Sequence, residues 1–170
     1  MTLERFRAEA ARLDALTRDE LLDELAAQHE RLRFSSVDVE ATWRLGSVLR
    51  GIGVAGDLPI AIDVSLGQQT TFHVALPGSS ADNDAWARRK AAVADRYLES
   101  SLAVGLRWDG GPDGFDATSR LPVGDFAAHG GAVPLLLETG AWVGHVVVSG
   151  LPAVHDHALV VVALEELLAG

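Results

Sequence analysis

The first third of the chain carries its hydrophobic residues at helical spacing. The segment before Thr17 is charged and amphipathic, and it predicts an N-terminal helix that docks on the body of the protein or on a partner. Thr17 and Glu20 have the spacing of a capping box, in which each side chain accepts a hydrogen bond from the other residue's backbone N–H. They predict the start of a second helix, and a third is predicted over about 37–53. The apolar positions of these two helices are Leu21, Leu22, Leu25 and Leu32, and then Val39, Trp43, Leu45 and Leu49.

Two later regions alternate hydrophobic and polar residues. The alternation runs over 60–64 and again over 72–76, with a Gly-Gln break between the two runs. It returns over 133–138 and 142–149, around a Thr-Gly turn. A period of two is typical of half-buried strands, so each pair of runs predicts an antiparallel hairpin.

Helices are predicted between and after these hairpins. A long helix is expected over about 84–100, with N-cap candidates at 82–84. The segment 109–122 is rich in Gly, Asp and Pro and is predicted to be a loop. A closing helix is expected over 153–168, because Pro152 is favourable at the first position of a helix.

The order of these elements predicts an α+β fold. The strands come in adjacent antiparallel pairs with helices between the pairs, which favours an antiparallel sheet with packed helices over a doubly wound parallel sheet. The chain has 170 residues, the size of one domain. We therefore expect a single domain over residues 31–170, preceded by an N-terminal helical extension over 1–30.

Composition and charge narrow the possible functions. The formal net charge is −10 and the sequence pI is about 4.9, so general binding to DNA or RNA phosphates is not expected. The absence of cysteine excludes disulfides, thiol nucleophiles, Cys-ligated zinc and covalent c-type haem attachment. The sequence shows no signal-peptide pattern and no apolar run long enough for a membrane span. We predict a cytoplasmic protein with no nucleic-acid or membrane partner.

The predicted long helix places two cations beside an apolar stripe. At about 100° per residue, Trp86, Val93 and Tyr97 share one face, and Arg89 and Lys90 flank it. Cations next to buried residues need an anionic partner or a route to water. One interpretation is a structural ion pair, and the other is a pocket for an anionic group of a ligand. We expect the pocket, with at least one cation unpaired. The carboxylates available for pairing are Asp63, Asp125 and Asp156.

Histidines and glycines supply further candidates. His129 precedes Gly130 and Gly131, which either let backbone N–H groups approach a ligand closely or form a tight turn with positive φ. We expect His129 to reach the same pocket as the two cations. His157 lies on the apolar stripe of the closing helix, either as a hydrogen-bonded core residue or as a ligand-binding residue. The histidine spacings match no zinc motif, and no metal site is predicted.

Four blocks of sequence follow one another along the chain. They are FHVALPG at 72–78, DNDAWARRK at 82–90, DFAAHGG at 125–131 and VVVSGLP at 146–152. With His157 behind the last block, they resemble the HbpS-like, GlcG-like family of haem-binding and haem-degrading domains. The resemblance covers roughly residues 32–168.

This resemblance implies a fold, an assembly and a ligand. The implied fold is an antiparallel sheet of about five strands with packed helices, of the profilin-like or PAS-like kind. The implied assembly is a homo-oligomer, which is also favoured because residues 159–163 of the closing helix are apolar all round and need covering on more than one side. The implied ligand is haem or another small molecule. The site residues that the resemblance transfers are Asn83, Trp86, Arg89, Lys90, His129, Ser149 and His157.

Three functions from different classes remain open at this point. The first is a protein that binds a small molecule or haem, with or without haem-degrading activity. In it, Arg89 and Lys90 pair with haem propionates, Trp86 forms an apolar wall and His129 or His157 binds the iron. Such binding is expected to be weak and reversible, because there is no covalent attachment motif. The second is a non-catalytic oligomeric scaffold. The third is a small enzyme for an anionic metabolite, with His129 as acid–base group and Lys90 or Arg89 stabilising charge.

Overall fold

The computed structural model describes residues 2–170, which form seven helices and five strands. The helices are α1 (Thr2–Asp14), α2 (Arg18–Arg31), α3 (Val39–Ala55), α4 (Ala81–Tyr97), α5 (Ser101–Arg107), α6 (Gly111–Ser119) and α7 (Ala153–Ala169). The strands are β1 (Arg33–Phe34), β2 (Ala61–Leu66), β3 (Gln69–Ala75), β4 (Ala132–Leu137) and β5 (Trp142–Ser149). The α+β fold expected from the sequence is confirmed.

The two predicted hairpins form four neighbouring strands of one sheet, with the strand order β1-β4-β5-β2-β3. Both hairpins are antiparallel, and β2 joins them by pairing with β5, where Ile62 lies opposite Val148. The sheet is mixed rather than wholly antiparallel, because the short β1 runs parallel to β4. A strand of two residues is too short to show the alternation that predicts strands.

The N-terminal helices pack on the body of the domain. The backbone N–H of Thr17 donates to Glu20 Oε2 at 2.9 Å, and the N–H of Glu20 donates to Thr17 Oγ1 at 3.4 Å, so the predicted capping box is present. Helix α1 contacts α7. Phe6 of α1 and Leu25 of α2 belong to the same buried core as the sheet.

Helices cover both faces of the sheet, and alternate residues of β5 separate the two layers. Val146 and Val148 belong to the core beneath α3 and α7, whereas Val147 packs with Ala87 and Ala91 of α4. This alternation follows from the period of two in a strand. It places α4 over one face and the larger core over the other.

Helix α7 is covered by its own chain. Residues 159–163 are at most 2% exposed, because α1, α3, β4 and β5 all pack against this helix. The all-round apolar pattern therefore requires no second copy of the chain to cover it, contrary to the reason given for an oligomer above.

The helices around the middle of the chain differ from the prediction. Helix α4 begins earlier than expected, behind an N-cap at Ser80, and it ends before residue 100 because Leu98 adopts a left-handed conformation with φ 55°. A separate helix, α5, follows it. The segment 109–122 is not only a loop, because α6 forms within it. Phe115 anchors α6 by packing its fully buried ring edge-on against Trp108, with centroids 5.6 Å apart.

Candidate functional site

A cleft of about 260 Å³ lies where the first turns of α4, the end of β5 and the start of α7 meet. Four of its residues come from α4, and most of the others surround the start of α7. The lining consists of Asp82, Asn83, Trp86, Lys90, His129, Ser149, Gly150, Leu151, Ala153 and Asp156. We refer to it as the Lys90 cleft.

Lys90 and Asp156 form a buried ion pair in this cleft. Nζ of Lys90 lies 2.8 Å from Oδ2 of Asp156 and also donates to the carbonyl of Val148 at 3.3 Å. The two side chains are 5% and 0% exposed. The backbone N–H groups of Gly150 and Leu151 donate to the same carboxylate at 3.3 and 3.0 Å. Burial raises the pKa of Asp156 to about 6, although Lys90 and the two N–H groups act to lower it.

The expectation of an unpaired cation is therefore wrong for Lys90. Of the three carboxylates considered for pairing, Asp156 is the one used, because the first turn of α7 brings it against the middle of α4. A buried charge without a partner costs several kcal/mol, so the pair is the arrangement that folding favours here.

Gly130 and Gly131 make room for this ion pair. A Cβ atom on Gly131, whose φ is +129°, would lie 3.0 Å from Nζ of Lys90 and 2.4 Å from the carbonyl oxygen of Val148. One on Gly130 would lie 2.2 Å from the carbonyl oxygen of Ala153. The two glycines thus serve the close packing of β5 and α7 against the start of β4.

His129 is half-buried beside Trp86. The two rings meet edge-on with centroids 5.0 Å apart, and the guanidinium carbon of Arg89 lies 3.9 Å from the centroid of the Trp86 ring. Burial lowers the pKa of His129, and the positive charges of Lys90 and Arg89 add to the effect. The imidazole is therefore neutral near pH 7. Neither of its ring nitrogens has a hydrogen-bond partner among residues 2–170.

Two further polar groups have bonding capacity left in the cleft. Oδ1 of Asn83 accepts the N–H of Ser80 at 2.8 Å as part of the α4 cap, but its NH₂ group has no partner within the described part of the chain. The hydroxyl of Ser149, a buried residue, likewise bonds to no described residue. With His129, these groups give the cleft uncharged donors and acceptors above the Lys90–Asp156 pair.

A comparison with known protein families shows which family this chain matches. A family model described as haem degrading protein HbpS-like matches residues 37–165, most of the chain. The chain belongs to the HbpS-like family. A UPF0303 protein of Streptomyces avermitilis is 46% identical over 147 residues, which cover 86% of this chain and 90% of that protein.

Solved structures share the fold of this HbpS-like chain. The crystal structure of the Ybr137w protein matches with a TM-score of 0.77 and 28% identity, over 84% of this chain and 85% of that one. The crystal structure of a PduOC:heme complex matches with a TM-score of 0.61 and 16% identity, over 76% of this chain and 94% of that one. At 16% identity, the second match shows the fold alone.

The HbpS-like chain brings together five of the residues predicted for the site. These are Asn83, Trp86, Lys90, His129 and Ser149. Arg89 does not line the cleft; it stacks on Trp86 and donates to a loop carbonyl at 3.0 Å. Gly130 and Gly131 lie behind the ion pair. His157 is not in this cleft, because the inward face of α7 directs it to Gln28 of α2, with Nε2 2.7 Å from the amide oxygen.

Other lining residues were not predicted as site residues. Asp82, Gly150, Leu151 and Ala153 were missed, and Asp156 was considered only as a possible partner for a cation. The available signal was the position of Asp156 in the first turn of the closing helix, where a carboxylate is favoured by the helix dipole. Because the lining holds two carboxylates, Asp82 and Asp156, and one ammonium group, that of Lys90, it is not the anion pocket that was expected.

A wider groove of about 850 Å³ lies beside α4 in the same HbpS-like chain and holds a second ionic cluster. Nδ1 of His145 is 2.9 Å from Oδ2 of Asp95, and its Nε2 is 3.6 Å from Oδ1 of Asp63. Burial alone would lower the pKa of His145, but the hydrogen bonds and charges of both carboxylates raise it to about 9. Within residues 2–170, no three His, Asp or Glu side chains are placed to hold a metal ion, and none of the helices there could span a bilayer.

Proposed function

We propose that this HbpS-like chain is a small-molecule-binding protein whose ligand occupies the Lys90 cleft. We further propose that haem, the molecule that the description of its family gives as degraded, binds there through His129. One observation carries the proposal: His129 presents a neutral imidazole without a partner in the described chain, beside the ring of Trp86.

The donor chemistry of the cleft fits haem iron. Histidine binds metals through its neutral ring, and the lowered pKa of His129 keeps that form at neutral pH. Trp86 supplies an aromatic wall, and Arg89, which stacks on Trp86 outside the cleft lining, would pair with a propionate that extends beyond the cleft. Haem bound here would supply the redox and ligand-exchange chemistry of its iron, while the residues of the chain bind it and orient it.

The size of the cleft sets the expected strength of binding. Its volume of about 260 Å³ lies below the range of roughly 300–1,000 Å³ found for pockets that enclose drug-sized ligands. Much of the macrocycle would therefore stay outside the cleft of one chain. This supports weak, reversible binding, as does the lack of a covalent attachment motif.

A titration with hemin, followed by Soret absorbance, tests the proposal. We expect His129→Ala to weaken binding at least about tenfold, a loss of about 1.4 kcal/mol. His73→Ala is the matched control, because the His73 side chain is 46% exposed and is open to adventitious coordination. Equal binding by the wild-type protein and His129→Ala, or an equal loss in His73→Ala, would exclude His129 as the ligand.

The other two functions predicted from the sequence are less well supported at this site. An enzyme for an anionic metabolite needs an unpaired cation inside the cleft, and Lys90, the cation that lines the cleft, is paired with Asp156. A homo-oligomer or scaffold is supported by Val39 and Trp43 of α3, which are 56% and 55% exposed. Light scattering at micromolar concentration tests assembly: we expect a multiple of 18.0 kDa, and a particle of that single mass would contradict it.

A further inference from the structure

A second cavity lies away from the Lys90 cleft, between α2, α5 and β4. Its volume is about 280 Å³. Its walls are largely apolar, with Leu25, Ala26, Leu32, Ala103, Val133 and Leu136 among the residues that form them. One wall comes from α2, which lies outside the residues that match the family model. We refer to it as the His157 cavity.

His157 is a buried residue of this lining, and one of its ring nitrogens has bonding capacity left. It is 1% exposed, and its Nδ1 has no hydrogen-bond partner among residues 2–170. Its other nitrogen, Nε2, lies 2.7 Å from Oε1 of Gln28. A buried polar atom without a partner is uncommon in folded proteins and needs an explanation.

A chain of contacts determines which nitrogen of His157 carries the proton. Arg12 and Arg31 each lie 3.1 Å from Oε1 of Glu24, which holds that group as a carboxylate acceptor. The Nε2 amide group of Gln28 donates to Glu24 at 3.2 Å, so the amide oxygen of Gln28 faces His157. That oxygen only accepts hydrogen bonds, and Nε2 of His157 must therefore carry the hydrogen.

The ring of His157 is uncharged as well as oriented. Burial lowers the pKa of His157 to about 4, so the imidazole is neutral at pH 7. With the hydrogen on Nε2, Nδ1 has a lone pair and no hydrogen. It is an acceptor, and its missing partner is a hydrogen-bond donor.

The carboxylates and the guanidinium group of this lining are already paired. Glu99 contacts Arg107, and Glu30 pairs with Arg33 at 2.9 Å. A charged ligand inside the cavity would find no buried counter-ion and would lose its hydration. An uncharged ligand with a largely apolar body suits these walls.

We propose that the His157 cavity binds a small, uncharged, mostly apolar molecule that donates one hydrogen bond to Nδ1 of His157. Phenols, indoles and short-chain alcohols have this chemistry. The site is separate from the Lys90 cleft, so it does not depend on haem binding there.

Phenol and toluene are the probes for this proposal, because they share a ring and differ in the hydroxyl donor. Backbone amide shifts in ¹H–¹⁵N spectra of the full chain would report binding through residues of α2 and α5. We expect phenol to bind about tenfold more tightly than toluene, the effect of one net hydrogen bond. Equal affinities, or no shifts in α2 and α5 with phenol, would overturn the proposal.

Two neighbouring alanines of α2 provide a matched pair of variants. Both are exposed, but Ala26 lines the cavity and Ala27 does not. We expect Ala26→Phe to weaken phenol binding at least tenfold and Ala27→Phe to leave it unchanged. An equal response of the two variants would place phenol elsewhere.

His157→Phe tests the acceptor itself while keeping a ring in the core. We expect it to remove the preference for phenol over toluene, and a retained preference would assign the hydrogen bond to another group. If this variant does not fold, the Ala26 and Ala27 pair still decides the location.

A crystal grown with 4-bromophenol gives a direct test, because the anomalous signal of bromine locates the ring. We expect the ring to lie in the cavity. A cavity that holds water only would contradict the proposal.

Discussion

The two faces of the sheet bury polar groups in opposite ways. On the α4 face, buried or half-buried charges meet carboxylates: Lys90 pairs with Asp156, and His145 lies between Asp63 and Asp95. On the face covered by α3 and α7, the core is apolar, and His157 meets the uncharged amide of Gln28. One layer is organised by ion pairs and the other by hydrocarbon packing.

His145 and His157 show what this difference does to one residue type. Two carboxylates raise the pKa of His145 to about 9, whereas burial without a carboxylate contact lowers the pKa of His157 to about 4. The first is charged at pH 7 and the second is neutral. The partners on each face, rather than the fact of burial, decide the charge.

The largest expected effect comes from breaking the ion pair on the α4 face. Lys90→Met leaves Asp156 buried without its cation, so we expect a loss of about 3–5 kcal/mol in the free energy of unfolding. For a domain of this size that is a fall of about 6–20 °C in Tm. Calorimetry or thermal denaturation followed by circular dichroism measures it.

Two variants serve as controls for this prediction. Arg88→Met, on the exposed side of the same helix, is expected to change stability by less than about 0.5 kcal/mol. Lys90→Met combined with Asp156→Asn removes both charges and keeps an acceptor for the N–H groups of Gly150 and Leu151, so it is expected to recover much of the loss. A Tm for Lys90→Met within a few degrees of the wild type would mean that the pair contributes little.

The features that could be predicted from the sequence are those with a local pattern. The two hairpins and the capping box at Thr17 depend on spacing along the chain, and all three are present. The α6 helix was missed because its stability comes from burial of Phe115 against residues outside the segment. Strand β1 was missed because a pair of residues has no period.

The members of the candidate site were predictable only in part, and its charge balance was not. Lys90 and His129 converge on one cleft, as expected. The partner of Lys90 depends on the packing of α4 against the first turn of α7, and Lys90 and Asp156 are 66 residues apart in sequence. Helical periodicity placed His157 on a buried face correctly, but no local pattern pointed to Gln28 as its partner.

The second prediction concerns acid conditions and the apolar face. The lowered pKa of His157 means that the unfolded chain binds its proton first as the pH falls, so stability is lost between about pH 6.5 and pH 4. The loss approaches about 3 kcal/mol, at 1.36 kcal/mol for each pKa unit. Urea denaturation across this pH range, compared between the wild type and His157→Gln, measures the contribution.

Comparing the wild type with His157→Gln cancels the contribution of other acid-sensitive groups to the change in stability. The raised pKa of Asp156 acts in the opposite direction below pH 6, but Asp156 is present in both proteins. His155→Gln is the matched control, since His155 lies on the same helix, is partly exposed and pairs with Asp14 at 2.6 Å. If His157→Gln keeps the full acid dependence of the wild type, His157 is not the buried neutral group described here.

The third prediction concerns alkaline conditions and the α4 face, and the expected effect is smaller. The raised pKa of His145 gives stability that is fully present below about pH 6.5 and is lost as the pH rises toward 9. Because the His145 side chain keeps 13% exposure at the groove, solvent screening reduces the contribution, and we expect about 2 kcal/mol. Urea denaturation of His145→Gln should show less loss of stability between pH 6.5 and 9 than urea denaturation of the wild type. The acid and alkaline effects have opposite signs, so one pH series tests both faces of the sheet. If His145 were neutral, the stability of His145→Gln and of the wild type would change equally between pH 6.5 and 9. Buried histidines on the two faces would then have the same charge.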